Sequence, residues 1–143
     1  MSKKILIVDD SETTRMKIKS FLNEDFCSVE AENGAVALEV LEKDHSFDLI
    51  ILDINMPEID GMTFIKIQKD NEKINKIPTI LCTTEASTKL KEEAKTTGVV
   101  KAWLIKPVIK LVLLKAIERV LSKYKIDFFF FFFTDTMFIT IFT

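Results

Sequence analysis

Several residue types are scarce in this chain of 143: three glycines, three prolines, two cysteines and a single histidine. Cys27 and Cys82 lie far apart, so they form neither a disulfide framework nor a metal-ligand cluster. Both stand in apolar surroundings and are expected to pack as small hydrophobes. His45 sits in a polar stretch, EKDHSF, and is read as having no functional role. An excess of one charge sign is also missing. Residues 1–125 hold all 20 Lys and Arg and 20 of the 22 acids, and so carry no net charge. This excludes a nucleic-acid-binding surface built on basic excess, and a polybasic membrane patch. The N-terminal MSKKILIVDD has four apolar residues in a row before Asp9, too few for a signal peptide. No stretch reaches the roughly 20 apolar residues of a membrane-spanning helix. The longest candidate, residues 128–142, is 15 positions long and is broken by Thr-Asp-Thr. An intracellular, reducing location, the cytoplasm, is expected.

What is present is ordinary for a folded domain: 48% apolar and 29% charged residues, and enough chain for one core. Short apolar runs alternate with segments of helical spacing. Strands are expected at Lys4–Val8, Phe26–Ala31, Phe47–Leu52, Ile77–Cys82 and Val99–Ile105. Helices are expected up to Leu22, then over Ala35–Lys43, Gly61–Asp70, Ala86–Thr96 and Ile109–Lys123. Ser11 is a candidate N-cap with Glu12 at the positive end of the helix dipole, and Gly98 a candidate C-cap. Pro78 lies near a strand start, where proline is tolerated. Strands that alternate with helices argue for a parallel sheet covered on both faces. The expectation is a (βα)5 doubly wound α/β fold of flavodoxin-like type, strand order 2-1-3-4-5.

Right-handed crossovers bring all five strand ends to one edge of such a sheet. The first strand ends in Asp9-Asp10, the third in Asp53, the fourth in Thr83-Thr84 and the fifth in Lys106. Taken singly, each has a plain explanation: a solvated loop and cap, a turn residue before Met-Pro, a helix cap, a surface lysine. Taken together, they put three carboxylates, a hydroxyl and an ammonium at one place. Three acids so close repel one another and suit a hard divalent cation, and Mg²⁺ fits best because it binds through a few oxygens and keeps several waters. A carboxylate beside a metal can act as a nucleophile and form an acyl phosphate. Lys106 and the Thr83 hydroxyl are suited to pair with phosphoryl oxygens, and phosphoryl transfer needs mainly positioning and charge neutralisation.

The sequences ILIVDDS, DLIILDINMPEIDG, PTILCTTEA and AWLIKPV, in this order and spacing, resemble the response-regulator receiver domains of the CheY-like family over about residues 3–123. The resemblance implies that Asp53 accepts a phosphoryl group from a histidine kinase or a histidine phosphotransfer protein. It implies that Asp10 binds Mg²⁺ directly, Asp9 through water, and Asn55 through its backbone carbonyl. Thr83 is then the switch hydroxyl, Lys106 the family's lysine, and Pro107 the residue after a cis peptide bond. Asn55 and Glu85 flank the path of the hydrolytic water, and Thr84, bulkier than the Ala or Gly often found at its position, is expected to slow dephosphorylation. Pro57 stiffens the loop after Asp53, and Gly61 serves the tight turn into the third helix. Trp103 stands where the family usually has Tyr or Phe. Its size argues against an inward pocket, so a half-buried place on a strand edge is as good an expectation as a switch role. The output face is expected on the fourth helix, fifth strand and fifth helix, acting on a downstream target protein by binding.

Two readings from other classes remain at this point. One is a Mg²⁺-dependent phosphatase or phosphotransferase with Asp53 as nucleophile, which wants a second acid where Asn55 stands. The other is a scaffold that is never phosphorylated. The chain divides into a receiver domain, residues 1–125, and a Phe-rich tail, residues 126–143, outside the family pattern. The tail holds eight of the 12 phenylalanines, and is too short for an output domain. It is read first as a low-complexity extension from a shifted frame or read-through. Self-association through a β-prone strand is the competing reading, and in either case so apolar a stretch should lie against its own or a neighbouring chain.

Overall fold

The computed structural model describes residues 2–22, 24–122 and 139–142. The alternation seen in the sequence is realised as β1 (Lys3–Val8), α1 (Glu12–Phe21), β2 (Phe26–Ala31), α2 (Gly34–Lys43), β3 (Leu49–Leu52), α3 (Gly61–Lys69), β4 (Thr79–Thr83), α4 (Thr88–Thr96), β5 (Val100–Ile105) and α5 (Lys110–Leu121). The five strands are parallel in the order 2-1-3-4-5. A sixth, β6 (Ile139–Ile141), is added antiparallel on the outer side of β5. Four residues from the segment expected to fall outside the domain thus lie against their own chain.

Strand boundaries follow backbone hydrogen bonding. β3 starts at Leu49 rather than Phe47, because Asp48 is engaged by Lys4 through both its main chain and its carboxylate, 2.8 Å each. β4 starts after Pro78, which has no N–H to give, and runs on to Thr83. Each of the first four helices begins on a side-chain cap: Ser11, Asn33, Asp60 and Ser87 each accept a main-chain N–H three residues on. Ser87 sets the start of α4 at Thr88, two residues later than the apolar spacing suggests. Gly98, at φ +75°, ends α4 in the left-handed conformation that glycine adopts without strain.

The sheet separates two cores. Leu6, Val8, Ile50, Leu52, Leu81 and Trp103 pack on one side with Ala37, Leu41, Phe64, Ile65 and Ala94 of α2, α3 and α4. Ile5, Ile7, Leu49, Ile51, Ile80, Cys82, Ala102 and Leu104 pack on the other with Ile18 of α1 and Leu113, Ala116 and Ile117 of α5. Strands β1, β3 and β4 are therefore apolar on both faces, as a doubly covered sheet requires. One buried polar cluster interrupts the first core. The Gln68 amide donates to the carbonyls of Ile74 and Ile77 and accepts the Thr79 hydroxyl at 2.9 Å, so α3 is tied to the start of β4 with its polar groups satisfied. Cys82 is buried as expected, but Cys27 is exposed, because β2 is an edge strand and only half covered. Among the described residues no helix is long and apolar enough to cross a membrane.

Candidate functional site: an acidic pocket at the carboxyl edge

The strand ends converge as the topology requires. Asp9 follows β1, Asp53 follows β3, and one carboxylate oxygen from each of Asp9, Asp10 and Asp53 lies within 4.8 Å of the others. Asp9 and Asp53 are buried while Asp10 is exposed, so the cluster has a closed floor and one open wall. Lys106, following β5, bridges the two buried acids: its Nζ lies 2.9 Å from Asp9 Oδ2 and 3.2 Å from Asp53 Oδ2. The other Asp9 oxygen accepts the Ser11 N–H at 2.8 Å, which joins the acid to the capped start of α1. Asp53 Oδ1 receives a longer contact from the Asn55 N–H, 3.4 Å.

Burial, and next in opposition the Lys106 charge, act on Asp53. Burial prevails and, with the neighbouring Asp9 charge, raises the Asp53 pKa above the ordinary carboxylate value. Burial works against the Lys106 ammonium, but its hydrogen bond to Asp9 and the charges of both acids outweigh that and hold its pKa above the usual lysine value. One ammonium thus faces three carboxylates, leaving a local excess of negative charge. Hard oxygen donors around uncompensated charge are what Mg²⁺ takes.

The remaining positions singled out from the sequence fall around this cluster. Thr83 is fully buried at the end of β4, where its hydroxyl accepts the Glu85 N–H at 3.2 Å and its carbonyl accepts the Lys106 N–H at 2.9 Å. Thr84 and Asn55 are exposed at the rim, and Glu85 is half-buried. Pro57 lies exposed in the loop after Asp53, and the Lys106–Pro107 peptide is cis. Gly61 has a more specific reason than turn chemistry. A Cβ there would lie 2.4 Å from the Asp53 carbonyl oxygen and 2.7 Å from Ile54 Cα, so only glycine lets α3 start directly beneath the Asp53 main chain. Its φ is not left-handed; the positive φ in this loop belongs to Glu58.

Trp103 corrects an expectation. It is not a half-buried edge aromatic: it is 0% exposed, and its indole N–H donates to the Glu85 carbonyl at 2.9 Å. The ring joins the core that contains Phe64 and Ala94, and its polar tip finds a backbone acceptor in the loop that follows Thr83.

Sequence reasoning missed Arg15. Its Nη1 donates to the Asp9 carbonyl at 2.6 Å, while Nε donates to Glu30 of β2 at 3.0 Å. The guanidinium therefore clamps the main chain that carries both N-terminal acids to the neighbouring strand. Helical side chains lean toward the helix N-terminus, so a long donor on the second turn of α1 was the available signal.

A family model for the response regulator receiver domain matches residues 5–118. The chain belongs to that family. The receiver is 39% identical over 124 residues to the chemotaxis protein CheY of Bacillus subtilis, covering 85% of this chain and 100% of that one. It is 36% identical over 123 residues to CheY1 of Helicobacter pylori, covering 83% and 97%. Among solved structures, CheY4 of Vibrio cholerae superimposes with a TM-score of 0.77 at 35% identity, over 84% of this chain and 99% of that one. Receiver domains are signalling switches of two-component systems that bind Mg²⁺ at an acidic pocket, and phosphorylation is typical of the family. This receiver has an acidic cluster of that kind in Asp9, Asp10 and Asp53.

Proposed function

We propose that this receiver is a phosphorylation switch in which Asp53 takes a phosphoryl group from a phosphohistidine on a sensor histidine kinase or a histidine phosphotransfer protein. The Asp53 carboxylate oxygen attacks phosphorus, the bond to the imidazole nitrogen breaks, and the product is an acyl phosphate with the donor histidine released. Asp9, Asp10, Asp53 and the Asn55 carbonyl would hold Mg²⁺, which when bound neutralises charge on the transferring group and its nucleophile. Lys106 then exchanges one of its carboxylate contacts for a phosphoryl oxygen. The Thr83 hydroxyl, two residues before Glu85, donates to another phosphoryl oxygen. The receiver in this way promotes its own phosphorylation, and water at the rim beside Asn55, Thr84 and Glu85 reverses it. The output passes to a downstream target protein through α4, β5 and α5. One observation carries this reading: three carboxylates within 4.8 Å of one another, two of them buried and bridged by a single lysine.

The test is the intact mass after exposure to acetyl phosphate, with and without Mg²⁺, for the wild type and Asp53→Asn. One phosphoryl group gained by the wild type alone, and only with Mg²⁺, is expected. No gain in the wild type under any condition would sink the switch and leave a scaffold. In the same assay Thr84→Ala should lose its phosphoryl group faster than the wild type; an unchanged decay removes Thr84 from the water path.

A further inference from the structure

In a five-stranded sheet of order 2-1-3-4-5, β5 is an edge. Such a strand shows a row of unpaired N–H and C=O groups, a template for any other extended segment. Here the row is already occupied. Ala102, Trp103 and Leu104 pair with Ile141, Thr140 and Ile139, and the Phe142 N–H donates to the Lys101 carbonyl at 2.8 Å. The two faces of β6 are used differently. Ile141, 2% exposed, joins the core that contains Ala102, Leu104, Leu113 and Ile117, whereas Phe142 packs against the opposite core. An apolar surface also continues past the carboxyl end of β5 toward α5. A cavity of about 280 Å³ runs from Leu104 past Val108 to Val112, and Ile109 and Leu111 beside it are exposed.

β6 is only three residues long, and Ile141, buried opposite Ala102, holds it to β5. Short strands at a sheet edge open at a small fraction of the global cost. Being on the same chain gives such a tethered segment an effective concentration on the order of millimolar. We propose that residues 139–142 are a displaceable internal occupant of a strand-docking edge on β5, and that the ligand of this edge is an extended apolar peptide segment that adds antiparallel to it. Main-chain pairing supplies the affinity, and an apolar residue at the place of Ile141 supplies the specificity. The proposal concerns the output face named above, but pairing at β5 needs no phosphoryl group.

The experiment uses the full chain as wild type, Thr140→Pro and Ile141→Asp. Thr140→Pro removes one ladder N–H at a half-buried position; Ile141→Asp removes the anchor. The probe is a labelled synthetic peptide of sequence KKMFITIFTKK, followed by fluorescence anisotropy, with hydrogen exchange of residues 100–105 read in parallel. Both variants should bind the peptide at least tenfold more tightly than the wild type. Their β5 amides should exchange faster, and regain protection when the peptide is added. Equal binding by all three proteins, binding by none, or β5 exchange unchanged by the substitutions overturns the proposal. So does a variant whose bare edge pairs with a second copy, seen as a dimer by light scattering, instead of with peptide. Phosphoryl uptake is measured on the same samples. A failure there with the peptide result intact removes the switch and leaves the docking edge.

Discussion

The two outer strands of the parallel sheet solve the same problem in opposite ways. β2 leaves Cys27 and Glu30 exposed and Phe26, Ser28 and Val29 half covered, and among the described residues nothing pairs with its outer side. Its protection is polar: Glu30 holds Arg15 at 3.0 Å and Lys19 at 3.8 Å. β5 buries Val100, Ala102, Trp103 and Leu104 and is covered by a further strand. A charged, half-buried edge is safe in water, whereas an apolar one invites pairing and has to be covered. Each edge also reaches the acidic pocket, β2 through Arg15 to the Asp9 carbonyl and β5 through Trp103 to the Glu85 carbonyl. One edge is an ionic brace for the clustered acids and the other an apolar support for the threonine loop.

Trp103→Ala should have the largest effect, a loss of about 3–5 kcal/mol in urea unfolding from the cavity and the abandoned Glu85 carbonyl. Val29→Ala on β2 should cost about 1 kcal/mol, because the side chain is only half-buried. Similar losses at the two sites would erase the contrast between the edges. Next comes the brace. Arg15→Ala should weaken Mg²⁺ binding about tenfold by calorimetric titration, the size typical of groups that orient metal ligands, and Arg15→Lys should restore part of it. If unfolding stability falls while Mg²⁺ affinity is unchanged, Arg15 serves the fold alone.

A smaller effect, of opposite sign, is expected from Asp53→Asn in Mg²⁺-free buffer: the melting temperature at neutral pH should rise by about 2–4 °C. Asp53 has a folded-state pKa above its unfolded value, so its native carboxyl binds a proton more tightly. The wild type then gains stability from Asp53 as pH falls through the raised value toward 3.8. The advantage of Asn should shrink over that interval, and a gap that widens on acidification would show that Lys106 pairing outweighs burial. Least of all, Lys19→Ala should cost under about 0.5 kcal/mol, since the ion pair is long and mostly solvated.

Most of the architecture was legible because it depends on local periodicity. Ten elements alternate where apolar runs alternate with helical spacing, and chain topology alone carries Asp9, Asp10, Asp53, Thr83 and Lys106 to one edge. Errors arose where one residue's partner lay far away in sequence. Trp103 looked too large for an inward place because neither its acceptor on Glu85 nor the strand from residue 139 onward is visible from position 103. Cys27 looked buried because its neighbours are apolar, yet edge position is a property of the whole sheet. Gly61 looked like an ordinary turn residue, although its requirement comes from the Asp53 carbonyl eight positions earlier. Arg15 lay on a helix face that reads as solvent until β2 is placed beside it.

The unequal fates of the two thiols have a practical consequence. Burial pushes the Cys82 thiol up to about 12, so it stays protonated and shielded at neutral pH, while Cys27 stands open to reagents. The native chain therefore offers alkylating dyes a single address, on the strand farthest from β6, with no engineering. A fluorophore on Cys27 and the lone indole of Trp103 make an optical pair that spans the sheet from one outer strand to the other.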